Sequence, residues 1–278
     1  MSKREAILEI LKEVEKETSK KVAYVNLKNQ KTNLTDSKLG GIPYLPKNKE
    51  LPVDKEGRQL KLLAQINLQD LQGMEELPSE GLLQFFVIAD ECYGLDFDNS
   101  ASQDTFRVIY YEQIDKNVKE EDVSKIYNPY YEDEDEWFVF EGEFKMEFEI
   151  TEEGMSFEDF RYDDIFVEKY NRKFPNEPID AFFDIDKFDS DLYDRISREN
   201  DSGEGIKIGG YPYFTQEDLR EYNYNGHDTL LLQIDSFDDD DEDIHIMWGD
   251  SGVGNFFISS EDLKNRDFSN VLYNWDCY

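Results

Sequence analysis

The segment Lys38-Leu39-Gly40-Gly41-Ile42-Pro43-Tyr44 returns in the second half of the chain as Lys207-Ile208-Gly209-Gly210-Tyr211-Pro212-Tyr213, and each copy leads into the same succession of blocks. Leu62-Leu63-Ala64-Gln65-Ile66-Asn67 is matched by Leu230-Leu231-Leu232-Gln233-Ile234-Asp235. Gly81-Leu82-Leu83-Gln84-Phe85-Phe86-Val87 is matched by Gly252-Val253-Gly254-Asn255-Phe256-Phe257-Ile258. Three blocks in one order, each pair at nearly the same separation, mean a duplicated unit with length changes confined to connecting loops. The duplication constrains architecture and names no reaction.

A compact chain of this length buries roughly three quarters of the surface it exposes when unfolded. Hydrophobic residues make up only 38% and charged residues 34%, a balance that borders on disorder unless aromatic residues compensate. Here 20 Phe, 17 Tyr and 3 Trp do so, because large rings bring more buried area per residue than aliphatic side chains. The expectation is one domain over residues 1–278, with a helix over 3–20, a first repeat unit over 38–97 and a second over 207–278.

The net charge is −35, unevenly spread: residues 1–61 hold 14 Lys/Arg against 9 Asp/Glu, and the rest of the chain holds 16 against 56. Such a surface repels phosphate backbones, and no segment supplies a basic groove, so nucleic acid is not an expected partner. The acidic excess suits either simple solubility or a basic protein or extended peptide as partner. The stretch Met1–Ile7 carries no apolar core of a signal peptide, and no segment approaches the ~18 apolar residues that span a bilayer. A cytosolic protein without membrane contact is expected, with Cys92 and Cys277 as free thiols. Oligomeric state is left open, since a duplicated chain already has internal pseudo-symmetry.

Ile7, Ile10, Leu11 and Val14 fall at i, i+3, i+4 and i+7, the stripe of an amphipathic helix laid on the edge of a core. Lys20, Lys21 and the Asn-rich stretch 26–33 are expected to end it and link it to the body. Strands are predicted at 60–66, 82–87, 107–111, 137–140 and 144–150, the last alternating apolar and charged residues as a strand with one wet face does. Residues 68–71 form a helical turn, 159–173 and 189–199 form helices, and 268–275 a terminal strand. The acidic runs 132–136 and 238–243 are solvated loops. The fold class is mainly β (α+β), built by internal duplication.

Tests for catalytic motifs fail. Gly249-Asp250-Ser251-Gly252 matches the peptide around a trypsin-like nucleophile, but His227 and His245 both lie shortly before Ser251, in the wrong context and order for a triad. Neither histidine has a second His or Cys at zinc-ligand spacing, and Asp184-Ile185-Asp186 departs from a calcium loop at Phe188, Asp189 and Arg195. No metal and no cofactor are expected. The Gly-Gly pairs lack the Lys-Ser/Thr of a phosphate loop. Gly40, Gly41 and Pro43, with Gly209, Gly210 and Pro212, are read as turns in which glycine permits positive φ and proline stiffens the exit.

Gln65 and Gln233 interrupt apolar strands at equivalent places, and a buried amide must find partners. They either satisfy the adjacent Gly-Gly-x-Pro turn or face a groove and hydrogen-bond an extended peptide. Trp248, Asp235 and Asp250 complete the candidate binding residues, in the second copy where the acidic excess concentrates. A hydrolytic or transfer enzyme using carboxylates, with Asp235 and Asp250 as first suspects, is the alternative to a non-enzymatic binding module.

Six blocks and the ending, from Lys38–Tyr44 through Met247-Trp248-Gly249-Asp250-Ser251-Gly252 to Asn274-Trp275-Asp276-Cys277-Tyr278, resemble the bacterial YwqG-like family over nearly the whole chain. The resemblance implies a roll-like, duplicated β architecture and carries over no catalytic residue. The Gly-Gly-x-Pro block followed by a Leu-rich strand with Gln is more remotely similar to the programmed cell death 2 and Tsr4 proteins, dedicated chaperones of a basic ribosomal protein, although their zinc finger has no counterpart here. Bacterial relatives near polymorphic toxin systems imply an immunity role as another binding function.

Overall fold

The computed structural model describes residues 2–130, 137–199 and 203–278. Helix α1 (Lys3–Thr18) starts at a capping box, Ser2 Oγ accepting from the Glu5 N–H and the Glu5 carboxylate accepting from the Ser2 N–H. It buries Ile7, Ile10 and Val14. The strands that follow are β1 (Lys20–Lys28), β2 (Lys38–Gly40), β3 (Lys61–Asn67), β4 (Leu82–Val87) and β5 (Phe106–Tyr111); after the short helix α2 (Glu120–Ser124) comes β6 (Glu143–Glu153). Helices α3 (Tyr162–Lys173) and α4 (Ser190–Glu199) precede β7 (Lys207–Gly209) and β8 (Thr229–Asp235). A hairpin of β9 (Phe237–Asp239) and β10 (Ile244–Ile246) leads to β11 (Val253–Ile258), α5 (Ser260–Asn265) and β12 (Leu272–Asp276).

Ten strands form one antiparallel sheet in the order β12-β11-β8-β7-β1-β6-β2-β3-β4-β5. Its ends curl toward each other: the Tyr273 N–H donates to Ser100 O at 2.9 Å, Gln103 Nε2 to Phe268 O at 2.8 Å, and the rings of Phe106 and Tyr273 lie 5.2 Å apart. The enclosed core draws Leu63, Phe85 and Phe106 from one half and Leu231, Phe256 and Tyr273 from the other. This is a mainly β, roll-like α+β fold. A second core outside the sheet joins α1, α3 and α4 through Ile10, Phe166, Tyr170, Phe182 and Leu192.

Two expectations need correction. The link at 20–33 is largely a strand, β1, at the centre of the sheet, where Lys20–Lys28 pairs residue for residue with Glu153–Lys145; Val22, Ala23 and Leu27 are buried, and the lysines that mask this pattern sit at its ends. Residues 137–140 are not a strand: among the described residues they join no ladder, and Val139 and Phe140 fill the core as irregular chain, Val139 O accepting from the Met247 N–H. Part of the 238–243 run is paired, Asp238 and Asp239 opposing His245 and Ile244 in the hairpin. The 132–136 run lies outside the described residues. Among the described residues no helix is long and apolar enough to cross a membrane, and both cysteines are free.

Candidate functional site: an acidic, aromatic cleft

The repeat folds into two equivalent turns. Gly40 and Gly41 have φ of +63° and +72°, Gly209 and Gly210 of +73° and +69°, values open to glycine and strained for other residues. Gln65 Oε1 accepts from the Tyr44 N–H at 2.9 Å while its Nε2 donates to Leu34 O and Asp36 O; Gln233 Oε1 accepts from the Tyr213 N–H at 2.8 Å while its Nε2 donates to Gly203 O and Gly205 O. Across the ladder, Gln84 Nε2 donates to Tyr44 O and Asn255 Nδ2 to Tyr213 O. Each Gln strand also bulges at the same place, Leu63 and Leu231 having no residue opposite. The lysine opening each copy is buried too. Lys207 Nζ meets Glu153 at 2.8 Å and Lys38 Nζ donates to Ile42 O at 2.7 Å, and burial pushes both ammonium groups down.

Three candidate binding residues are therefore not available to a partner. Gln65 and Gln233 are fully buried, and both ends of each amide are engaged inside the protein. Trp248 is fully buried against Tyr93, ring centroids 5.6 Å apart. Asp235 is half-buried and accepts from the Gly205 N–H at 3.0 Å; burial chiefly, with the Glu204 charge, pushes its carboxyl up. Asp250 is exposed on a turn, and its backbone carbonyl accepts from the Tyr278 N–H. Neither aspartate lines the cleft that the fold builds nearby.

That cleft, of about 580 Å³, opens between the second Gly-Gly turn and the helical core. Glu158, Asp159, Asp163, Glu204, Glu217, Asp218 and Glu221 line it, with no Lys, Arg or His in its lining among the described residues. Rings of Phe183 and Tyr222 stand exposed at its rim, that of Phe183 already beneath Lys187 Nζ at 4.8 Å. A second cleft of about 590 Å³, lined by Phe97, Asp98, Trp275 and Asp276 among others, shares Glu217 and Tyr222 with the first.

The floor is electrically closed. Asp218 caps the turn at Leu219–Glu221 and holds the buried Arg220 by Nε and Nη2, at 2.8 and 2.6 Å; Arg220 also reaches Asp159 at 3.1 Å and stacks 4.2 Å over Phe257. Arg161 grips Asp159 with two further bonds. Burial pushes the Asp159 carboxyl up, and the two guanidiniums outweigh it, holding the group below the usual range. Two arginines thus answer two aspartates. Among the described residues the wall shows no such answer. Partial desolvation in the cleft, then the charges of Asp276 and Asp218, push the Glu158 carboxyl up although much of the side chain is exposed. Asp276 accepts from the Thr215 N–H and hydroxyl through Oδ1, while Oδ2 is buried with no hydrogen-bond partner, and burial pushes this carboxyl up as well.

The family model for the domain of unknown function DUF1963 matches residues 37–277. The chain belongs to the DUF1963 family. No match is found among curated proteins. The DUF1963 region contains both Gly-Gly turns and both clefts, and begins downstream of α1 and β1.

The cleft residues escape sequence reasoning because each sits in a short mixed run, Phe157–Asp163 and Glu217–Tyr222, rather than in a block of like charge. Comparing the copies offers a signal: where the second turn continues into Glu217-Asp218-Leu219-Arg220-Glu221-Tyr222, the first continues into Lys47-Asn48-Lys49-Glu50-Leu51. The two units have diverged in charge just beyond the shared turn.

Proposed function

We propose that this DUF1963 protein is a non-enzymatic binding module whose paired clefts receive lysine and arginine side chains of a basic protein or extended peptide. The observation that carries the reading is the lining of the main cleft, in which five carboxylates besides the arginine-held Asp159 and Asp218 stand, among the described residues, without a cationic side chain in the lining and close to exposed aromatic rings. Carboxylates and ring faces together suit ammonium and guanidinium groups, by charge-assisted hydrogen bonds and cation–π contact. The protein's own Arg220, clasped by Asp218 and stacked on Phe257, is an internal example of that recognition. The remote resemblance to chaperones of a basic ribosomal protein points the same way, as does the net charge of −35. A cytosolic setting belongs to the same proposal.

The test is titration of a fluorescent Lys/Arg-rich peptide against the protein at low and moderate salt, with an acidic peptide of equal length as control. Binding of the basic peptide alone, weakened at least tenfold as salt rises and again in Glu158→Gln/Glu217→Gln/Glu221→Gln, is the expected result. Salt-independent binding, or full binding by the triple variant, would refute the assignment to this cleft.

A further inference from the structure

The two long central strands are exchanged between the repeats. The sheet order is symmetric about the β1–β6 pair, so the repeats extend beyond 38–97 and 207–278, and in chain order each runs as a long strand, a Gly-Gly strand, a Gln strand, a Phe-Phe strand and a final strand: β1 to β5 first, then β6, β7, β8, β11 and β12. In the sheet, β1 pairs with β7 of the second repeat and β6 with β2 of the first, while β1 and β6 pair with each other. Neither long strand lies beside the Gly-Gly strand of its own repeat. The turns are shaped for this. The Gly210 N–H donates to Lys21 O at 3.1 Å, and a Cβ on Gly209 would stand 3.0 Å from that same carbonyl; in the first copy a Cβ on Gly40 would strike Gly142 O, at the entry to β6.

We propose that residues 2–28 are a donor segment seated in a strand-accepting slot between β6 and β7, and that a second copy of this chain fills the same slot in trans. The inference is independent of the acidic cleft. The segment lies wholly upstream of the region matched by the family model and joins the body only through residues 29–37, of which 29–31 are exposed. It docks by two devices: the β1 ladders on both sides, and the apolar face of α1 carrying Ile7, Ile10 and Val14 into the helical core. Withdrawal would leave β6 open along nine paired positions and β7 along three, and open strand edges take up another strand by main-chain hydrogen bonding. The tether favours the segment of the same chain through effective concentration; a second copy competes when the hinge is cut or chains fold together at high concentration.

The test inserts a site-specific protease sequence between Gln30 and Lys31 of the full chain. After cleavage the N-terminal segment is expected to remain with the body through gel filtration, and a fluorescein-labelled peptide of residues 2–28 to replace it stoichiometrically. The same peptide carrying Ala23→Pro, which lacks the ladder donor between Ile150 and Ile208, should not enter. Departure of the cut segment from a body that keeps its circular dichroism and melt overturns the proposal. Should nicking unfold the body, co-refolding of intact Ala23→Pro and Ile208→Pro chains decides: a heterodimer formed only in the mixture supports exchange, and none overturns it.

Discussion

Replacing Gln65 or Gln233 with leucine isolates what the duplicated turn contributes. Leucine nearly conserves the buried volume, so packing changes little, while three backbone groups lose their partners at each site: the Tyr44 N–H, Leu34 O and Asp36 O, or the Tyr213 N–H, Gly203 O and Gly205 O. A buried group left unpaired costs about 1–3 kcal/mol, and three such groups, partly relieved by relaxation of loops near the surface, put each variant at about 4 kcal/mol. With an unfolding entropy of about 2.1 cal/mol/K per residue, that loss lowers Tm by about 7 °C for a chain of this length. Urea melts followed by near-ultraviolet circular dichroism measure it. The two turns share no hydrogen-bond partner, so the double variant should lose the sum within about 0.5 kcal/mol. A loss under about 1 kcal/mol in both single variants would refute the claim that the amides hold the turns.

Arg220→Met strips the buried aspartates Asp218 and Asp159 of one guanidinium and should cost about 3–5 kcal/mol in the same assay, a neutral result contradicting the closed-floor description. Gly40→Ala combines positive φ with a collision against Gly142 O and should lose about 2–4 kcal/mol, whereas Gly57→Ala, at φ +84° in open space, should lose only the conformational part of about 1 kcal/mol; equal losses would remove the close-approach argument. Glu158 has a raised carboxyl in the folded state, so its contribution favours folding below the ordinary carboxylate pKa and is lost as pH rises through the raised one. Glu158→Gln should therefore raise Tm slightly at pH 7 and leave it unchanged at pH 3, and a gain that persists at pH 3 would count against the electrostatic cause.

The sequence discloses what repeats and little of what the repeats build together. The Gly-Gly-x-Pro turns, the Gln strands and the Phe-Phe strands are legible because identical constraints on φ, on a buried amide and on core volume keep the same residue types in both copies. Strand β1 is not, because its terminal lysines extend the charged pattern of α1 and its buried residues amount to Val22, Ala23 and Leu27 between polar neighbours. Its formation depends on two partners, β6 and β7, far away along the chain. Trp248 fails as a binding residue for a related reason: the Gly249–Gly252 turn suggests exposure, whereas the ring points into the core against Tyr93 and Gly254. The cleft is hidden because Glu158 and Glu217 meet only through the fold.

The distribution of counter-charges gives the cleft its meaning. Three buried anions in this protein are met by cations: Arg161 and Arg220 for Asp159 and Asp218, and Lys207 for Glu153. Ionising a carboxylate in partly desolvated surroundings without a partner is unfavourable. Glu158 is in that condition beside the charge of Asp276, whose own Oδ2 is unbonded. A chain with 30 lysines and arginines has cations available, and among the described residues none stands in this lining. A bound lysine or arginine would remove the unfavourable term and gain the ring contact with Tyr222 at once, so the same two features that cost the free protein stability would supply affinity and selectivity for a basic partner.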